Sequence, residues 1–419
     1  VEAYASLFGK GLVGQDYDFH LYKQLIFQAE GQRFMVDVPQ KAPEAVQDLT
    51  IDQIDLYPEQ VIGYEEYLSI IQQLKRVPQI SVYKIATSYL GREIYAIELL
   101  PKAADSGYLS RTKRLTNYPS EIINARHHAN EVSGTNGAFL LLKELLTDPK
   151  YQDVAVHLNL VIVPLENVDG AAIHYELQKK TPEWKLHVAR FNGVGKEFYY
   201  EYFNLETQHT EALGMTRLYE RFVPDVMVDN HGVPTHEWEQ PFSGYTSPSY
   251  KGFWLPRSLL YGYFWVPTNE EYRSNIVLNK KIEDVIAEAI GSVPEMKKWN
   301  EEWAQQFETY AHKWLPKLFP AEYYKEMINY WIGFAADTTH RYPSIRFPWL
   351  TSVAYTSEVA DETAQGEYLR LCAQAHVVHD LATIDLLLES TSLYQTSAVF
   401  TSEEINISYT RLRPIIASS

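Results

Sequence analysis

The stretch EIINARHHANEVSGTNGAFLLLKEL, residues 121–145, holds three signals in a row. Its first residues form an apolar run short enough for a buried strand. A polar loop follows, with His127 and His128 side by side and Glu131 three residues after the second. TNGAFLLLKEL then places apolar residues at helical spacing. Strand, loop, helix is the repeating unit of an α/β sheet, and ligands collect where the loops leave the carboxyl ends of parallel strands. His128 and Glu131 are therefore either half of a metal site or an ordinary polar loop, and their spacing alone does not separate the two.

On both sides of this stretch the same alternation continues. YEEYLSIIQQLKRVP reads as a helix that stops at Pro78, and QISVYKIATSYLGREIYAIELL as a hairpin around a Leu-Gly turn. HLNLVIVPLENVDG is a near-continuous apolar run, expected of a strand covered on both faces. HTEALGMTRLYERFVP reads as a helix and DVMVDNHG as a buried strand. Three helical patterns are read over 269–335, the last of them AEYYKEMINYWIGF; SVAYTSEV returns to strand, and AQGEYLRLCAQAHVVHDLATIDLLLES is a final helix. LIFQAEGQRFMVDVP supplies one or two strands to an N-terminal extension or small subdomain over 1–60, ahead of a main domain over 61–419. An aromatic cluster, SGYTSPSYKGFWLPRSLLYGYFW, reads as core and loop packing or as a substrate wall.

Composition narrows the function. With 419 residues, 46% hydrophobic and 22% charged, the chain has the make-up of a soluble globular protein with a large core. A net charge of −17 argues against nucleic acid and against anionic membranes as partners. No stretch is read as a membrane helix. The single cysteine, Cys372, excludes an internal disulfide and a multi-thiolate metal site and reads as a small buried apolar residue. Scarce cysteine fits a cytoplasmic location, with secretion the alternative if Val1 is a processed terminus. Oligomeric state leaves no trace in the sequence.

A catalytic zinc needs three protein ligands and a free position. His231, at the end of the buried strand DVMVDNHG, is available as the third; His236, beside Glu237 and Glu239, competes with it. A carboxylate to act as base is offered by Glu358 at the end of SVAYTSEV, with Asp361 and Glu362 close behind.

Taken in order, SYLGREIYAIEL, ARHHANEVSGTNGAFLLLKEL, LVIVPLENVDG, TEALGMTRLYERFVPDVMVDNHG and AYTSEVAD resemble the motifs of the M14 zinc metallocarboxypeptidases, over about residues 64–390. The resemblance implies a mixed, mostly parallel twisted sheet covered by helices on both faces; the distance from His231 to Glu358 is long for the family, consistent with a helical insertion at about 269–335. It implies one zinc ion per chain, bound by His128, Glu131 and His231. It also implies Glu358 as general base and then acid, and Arg190 at the oxyanion. The activity implied is hydrolysis of a peptide or amide bond by metal-activated water.

The sequence departs from the family at one place. Where the family carries an Asn-Arg pair that grips the substrate's C-terminal carboxylate, this chain reads FNGVGKEFYYEYFN. Arg126, Arg217, Arg257, Arg341 and Arg346 are the available replacements, with Arg346 first because it precedes Glu358 in the region that lines the family's specificity pocket. Tyr342 is the nearest match to the family's mobile tyrosine. The departure points toward a modified or cell-wall-type peptide, or a small acylated amine. It also leaves a second reading, a peptidase fold kept as a catalytically inactive binding module.

Overall fold

The computed structural model describes residues 5–6, 23–29, 31–38, 47–101, 111–184, 187–232, 261–302, 305, 322–325 and 327–416. The chain divides into two compact units, Val1–Asp48 and Leu49–Ser419. Within the first, β1 (Gln24–Ala29) and β2 (Gln32–Asp37) form an antiparallel hairpin whose turn includes Gly31 at a φ of 78°. The boundary falls ahead of the one expected near residue 60, since Ile51, Ile54 and Leu56 are buried in the core of the larger unit.

The larger unit begins with α1 (Tyr64–Leu74), β3 (Ile80–Thr87), β4 (Glu93–Leu99), α2 (Arg111–Asn117) and β5 (Ser120–Ala125). It continues with α3 (Ser133–Thr147), α4 (Val154–His157), β6 (Asn159–Val163), α5 (Val168–Lys180), α6 (Thr210–Phe222) and β7 (Val226–Gly232). Then come β8 (Tyr261–Pro267), α7 (Arg273–Gly291), β9 (Glu322–Tyr324), β10 (Met327–Phe334), α8 (Pro343–Arg346) and β11 (Val353–Val359). The last elements are α9 (Gly366–Leu388), β12 (Thr391–Phe400) and β13 (Ile405–Ile416). One nine-stranded sheet runs in the order β3-β4-β6-β5-β7-β11-β8-β10-β9. The pairs β6/β5, β5/β7 and β7/β11 are parallel, whereas β8 runs antiparallel to β11. Every residue of β5, β6, β7 and β11 is buried, as strands covered on both faces must be.

A further expectation changes. The region 269–335 is helical over α7, but MINYWIGF is strand β10, paired in parallel with β8 inside the main sheet. Its aromatic and β-branched residues suit a pleated surface better than a helix, and Trp331 stacks on Phe264 of β8 at 5.2 Å. The pattern NEEWAQQFETYAHKWL and the aromatic cluster before Tyr261 lie largely outside the described residues. Helix α9 is also long and apolar enough to cross a membrane by composition, yet 72% of its most apolar window is buried inside the fold. It is a core helix, packed on α3, α7 and β11. Cys372 lies on it, fully buried.

At the amino edge of the sheet, Asp225 is fully buried and accepts from Ser120 N (2.9 Å). Arg411 Nη2 (2.7 Å) and Arg413 Nε (3.1 Å), both on β13, complete its partners. The C-terminal hairpin is thereby fastened to the start of β7. Removing one member of a buried ion pair leaves the others unpaired, so Asp225→Ala should cost about 3–5 kcal/mol. A urea midpoint unchanged from wild type would refute this role.

Candidate metal centre

Register sets the stage. Ala125 on β5 pairs with Asn230 on β7, and His231 pairs with Glu358 on β11, so the three parallel strands end at one level. At the end of β5 the chain turns through Arg126, whose φ of 54° is costly for a side chain of its size. The Arg126 guanidinium holds this turn from within: Nε donates to Ala129 O (3.1 Å) and Nη1 to Ile62 O (2.7 Å). Fully buried and so engaged, Arg126 is a brace rather than a substrate contact. The following turn is closed by Glu131 N donating to His128 O (3.4 Å), which brings residues three apart together.

His128 Nδ1 lies 2.7 Å from Glu131 Oε1. His231 Nδ1 lies 3.1 Å from Glu131 Oε2 and 3.2 Å from His128 Nδ1. The opposite nitrogen of each ring faces a carboxylate: His128 Nε2 is 3.0 Å from Glu197 Oε2, and His231 Nε2 is 2.8 Å from Asp229 Oδ2. In the tautomer that donates Nε2–H outward on both rings, each Nδ1 carries a lone pair, and both lie against Glu131. Converging lone pairs repel unless a cation sits among them. Donor separations of 2.7–3.2 Å are close to the edge of a tetrahedron built on zinc bonds of about 2.1 Å, roughly 3.4 Å. Carboxylates behind ligand imidazoles are the usual outer support of such a centre. The residues present fit a zinc ion.

A second layer fixes the first. His127 stands between Glu166 (Nδ1 to Oε2, 2.9 Å) and Glu197 (Nε2 to Oε1, 2.8 Å). Burial alone would lower its pKa, but the two carboxylates outweigh burial and raise it to about 10. Glu197 thus bridges His127 and His128. Glu166 also accepts from Asn124 Nδ2 (2.6 Å) and Tyr202 OH (2.5 Å). Asn167 Nδ2 donates to His127 O (3.0 Å) while its Oδ1 caps α5 at Gly170 N (2.9 Å). Asp169 reaches the hairpin turn, accepting from Ser88 Oγ (2.7 Å), Leu90 N (2.9 Å) and Arg92 Nη1 (2.9 Å). The quoted PLENVDG and SYLGR motifs are therefore one interlocked support for the ligand loop.

The three acidic residues at and after β11 separate by their partners. Asp361 Oδ2 accepts from Ser133 N and Oγ, both at 2.6 Å, and Glu362 Oε1 accepts from Asn130 Nδ2 at 2.6 Å. Both hold the loop and the start of α3. Glu358, also buried, keeps Oε2 without a hydrogen-bond partner. Burial first and the Glu131 charge second push its carboxyl well up, with His231 and Arg190 pulling the other way. Arg190 is thus within electrostatic reach of Glu358, on a segment that meets the ligand loop through Asn130 N donating to Ala189 O (3.2 Å). Gly232 closes this arrangement, since an added Cβ would fall 2.2 Å from Asp361 Oδ1 and 2.8 Å from Glu131 Cγ.

Other expected site residues fall differently. Tyr342 is buried and stacked on Trp265 at 3.7 Å, with Tyr199 tilted against it at 5.1 Å. Arg346 donates to His340 O (3.2 Å) and lies over Phe203 (4.9 Å) and Phe347 (5.3 Å). Arg217 is exposed on α6, and His236 and Arg257 lie outside the described residues. Glu197, Asp229 and Glu166 were missed from sequence. Asp229 had a signal: two residues before His231 on one strand, its side chain shares that face. Glu197 sits in a loop with no periodicity to reveal it.

Residues 67–209 match the family model described as zinc carboxypeptidase. Among solved structures, carboxypeptidase A from Helicoverpa armigera shares the fold at 12% identity and a TM-score of 0.50, covering 82% of this chain and 77% of that one. A metallo-carboxypeptidase from Burkholderia cenocepacia aligns at 16% identity and a TM-score of 0.47, over 77% of this chain and 69% of that one. A comparison with curated proteins gives no match.

Two outcomes follow from the outer carboxylates. Glu197→Gln and Asp229→Asn should each weaken zinc affinity about 10–100-fold, read by competition with a chromogenic chelator; unchanged affinity in both would reduce them to packing. His127, with its folded pKa raised from 6.5 to about 10, stabilises the fold fully below 6.5 and loses that contribution as pH rises through 10. The melting-temperature gap between wild type and His127→Gln should narrow over that window, and a constant gap would mean a neutral His127.

Proposed function

We propose that this chain, whose residues 67–209 match the zinc carboxypeptidase family, is a metal-dependent peptidase that hydrolyses a peptide or amide bond. His128, Glu131 and His231 would hold one zinc ion and Glu358 would carry the proton. The observation supporting this reading is the convergence of three donor groups within 4.8 Å of one another, beside a buried carboxyl oxygen that has no other partner.

Zinc so held lowers the pKa of water and polarises a carbonyl. The chain's own groups do the rest. Glu358 Oε2 takes a proton from the water that adds to the scissile carbonyl and delivers it to the leaving amine. Burial and Glu131 favour the protonated carboxyl, and a cation among the ligands opposes them, which moves Glu358 toward the working range of a general base. Arg190 supplies positive charge near the same atoms, suited to an oxygen that becomes negative. Glu197 and Asp229 keep both imidazoles in one tautomer and one orientation. Tyr199 and Tyr342 form an apolar wall beside the ligands, where a peptide side chain can be desolvated. A modified or cell-wall-type peptide remains the substrate that the missing Asn-Arg pair suggests.

Elemental analysis of the purified protein should find about one zinc per chain, lost in His128→Ala. Glu358→Gln should retain the zinc and slow amide hydrolysis by about 10²–10⁴-fold. No metal and no uptake of added zinc would sink the hydrolase reading. Equal turnover in Glu358→Gln would remove Glu358 from the chemistry, whereas zinc retained with no substrate turned over by the wild type would favour a binding module.

A further inference from the structure

Helix α9 is apolar enough to cross a membrane, yet it carries a buried polar face. His376, His379, Asp380 and Thr383 fall at the i, i+3, i+4 and i+7 positions of one helical face, and all are buried. Burying polar groups is costly unless they are bonded, and a bonded network holds the parts it joins in one arrangement. This face joins α9 to the segments that deliver the candidate metal centre.

His376 Nε2 lies 3.1 Å from Ser133 Oγ, and its Nδ1 lies 3.3 Å from Ser357 Oγ. Ser133 opens α3 two residues after Glu131, and its Oγ also donates to Asp361 Oδ2 (2.6 Å). Ser357 immediately precedes Glu358 on β11. Its Oγ donates to Oδ1 of Asn230 (2.8 Å), the residue before His231 on β7. Asn230 Nδ2 donates in turn to Asp380 Oδ2 (2.8 Å), and Asp380 Oδ1 is 2.9 Å from His379 Nδ1. Further back on β11, Tyr355 OH and Thr383 Oγ1 meet at 2.8 Å. Side chains alternate along a strand, so Ser357 and Asn230 occupy the face opposite to Glu358 and His231. Helix α9 thus grips from behind the segments that carry Glu131, His231 and Glu358. Gly137 lets it come close, since an added Cβ there would fall 2.8 Å from His376 Cβ and 3.2 Å from Ala373 O. At this crossing His376 is the member of the polar face that reaches both α3 and β11.

We infer that His376 is a positioning residue for the centre. One ring nitrogen sets the end of the ligand loop and the other sets the strand that carries Glu358, so the separation of the two is fixed by the width of an imidazole. This rests on the proposed hydrolase only for the role of Glu358; the ligand loop is positioned whatever the reaction. A leucine in place of His376 leaves Ser133 its bond to Asp361 and Ser357 its bond to Asn230. The fold then survives, while the spacing between the two serines is no longer held. A shift of about 1 Å in a reacting group is enough to cost about 100-fold in rate.

Substitutions in the full chain separate the two contacts. His376→Leu removes both. His376→Gln places an amide nitrogen near the Nε2 position and keeps Ser133, whereas His376→Asn places one near Nδ1 and keeps Ser357. Zinc affinity is read by competition with a chromogenic chelator. The constants kcat and KM are read at saturating zinc on benzoyl-capped dipeptides, as free acids and as amides. His376→Leu should weaken zinc affinity and lower kcat, each by roughly 10- to 100-fold, with KM little changed. Glutamine should recover the affinity but not kcat, and asparagine should recover kcat but not the affinity. Leu387→Ala, a buried apolar change on the same helix, should lower the melting temperature and leave both quantities alone. If the His376 variants likewise lower only the melting temperature, His376 is packing and the inference is overturned. It is also overturned if glutamine and asparagine lose affinity and kcat in the same proportion. A wild type that binds zinc but turns over neither probe counts against the hydrolase reading. Recovery of zinc affinity in His376→Gln and not in His376→Asn then decides the positioning role by itself. A wild type that takes up no zinc overturns both.

Discussion

The carboxyl edge of the sheet depends on the register between β7 and β11, which sets His231 directly opposite Glu358. A slip of one residue would send either side chain to the other face, because side chains alternate along a strand. Strand β5 ends level with these two, so its loop delivers His128 and Glu131 to the same place. The centre is thus assembled from three chain segments far apart in sequence, each aimed by its strand. The strained turn at Arg126 and the crowding at Gly232 are local consequences of that convergence.

Charge is managed in pairs around this edge. Glu166, Glu197, Asp229, Asp361 and Glu362 are each matched to an imidazole, an amide or a hydroxyl. Such pairing lets an acidic chain bury many carboxylates without forcing them all neutral. Against that background Glu358 Oε2 is notable for having no hydrogen-bond partner beside the three converging donors.

Much of this was readable in the sequence because it rests on local pattern. Strands β5, β6, β7 and β11 are apolar runs, α3 and α9 have the spacing of helices, and His128, Glu131, His231 and Glu358 sit at strand ends that the runs mark. What escaped was set by distant neighbours. MINYWIGF has no decisive period and becomes strand because β8 is beside it. The C-terminal hairpin, with Phe400, Ile405 and Ile407 exposed, has a burial pattern unlike that of a core strand. Glu197 is recognisable only by the imidazoles it meets. The aromatic rings under Arg341 and Arg346, and the His340 carbonyl that Arg346 bonds, are likewise set by the fold rather than by local pattern.

The placement of β11 has a further consequence for how the molecule comes into being. This strand lies inside the sheet, between β7 and β8, but is synthesised after β8, β9 and β10. Until it inserts, β7 and β8 each present an open edge able to pair with another chain. The hairpin that fastens the start of β7 is synthesised later still. A nascent chain therefore carries all three prospective ligands well before it can orient them, and the sheet, its tether and Glu358 are added only afterwards.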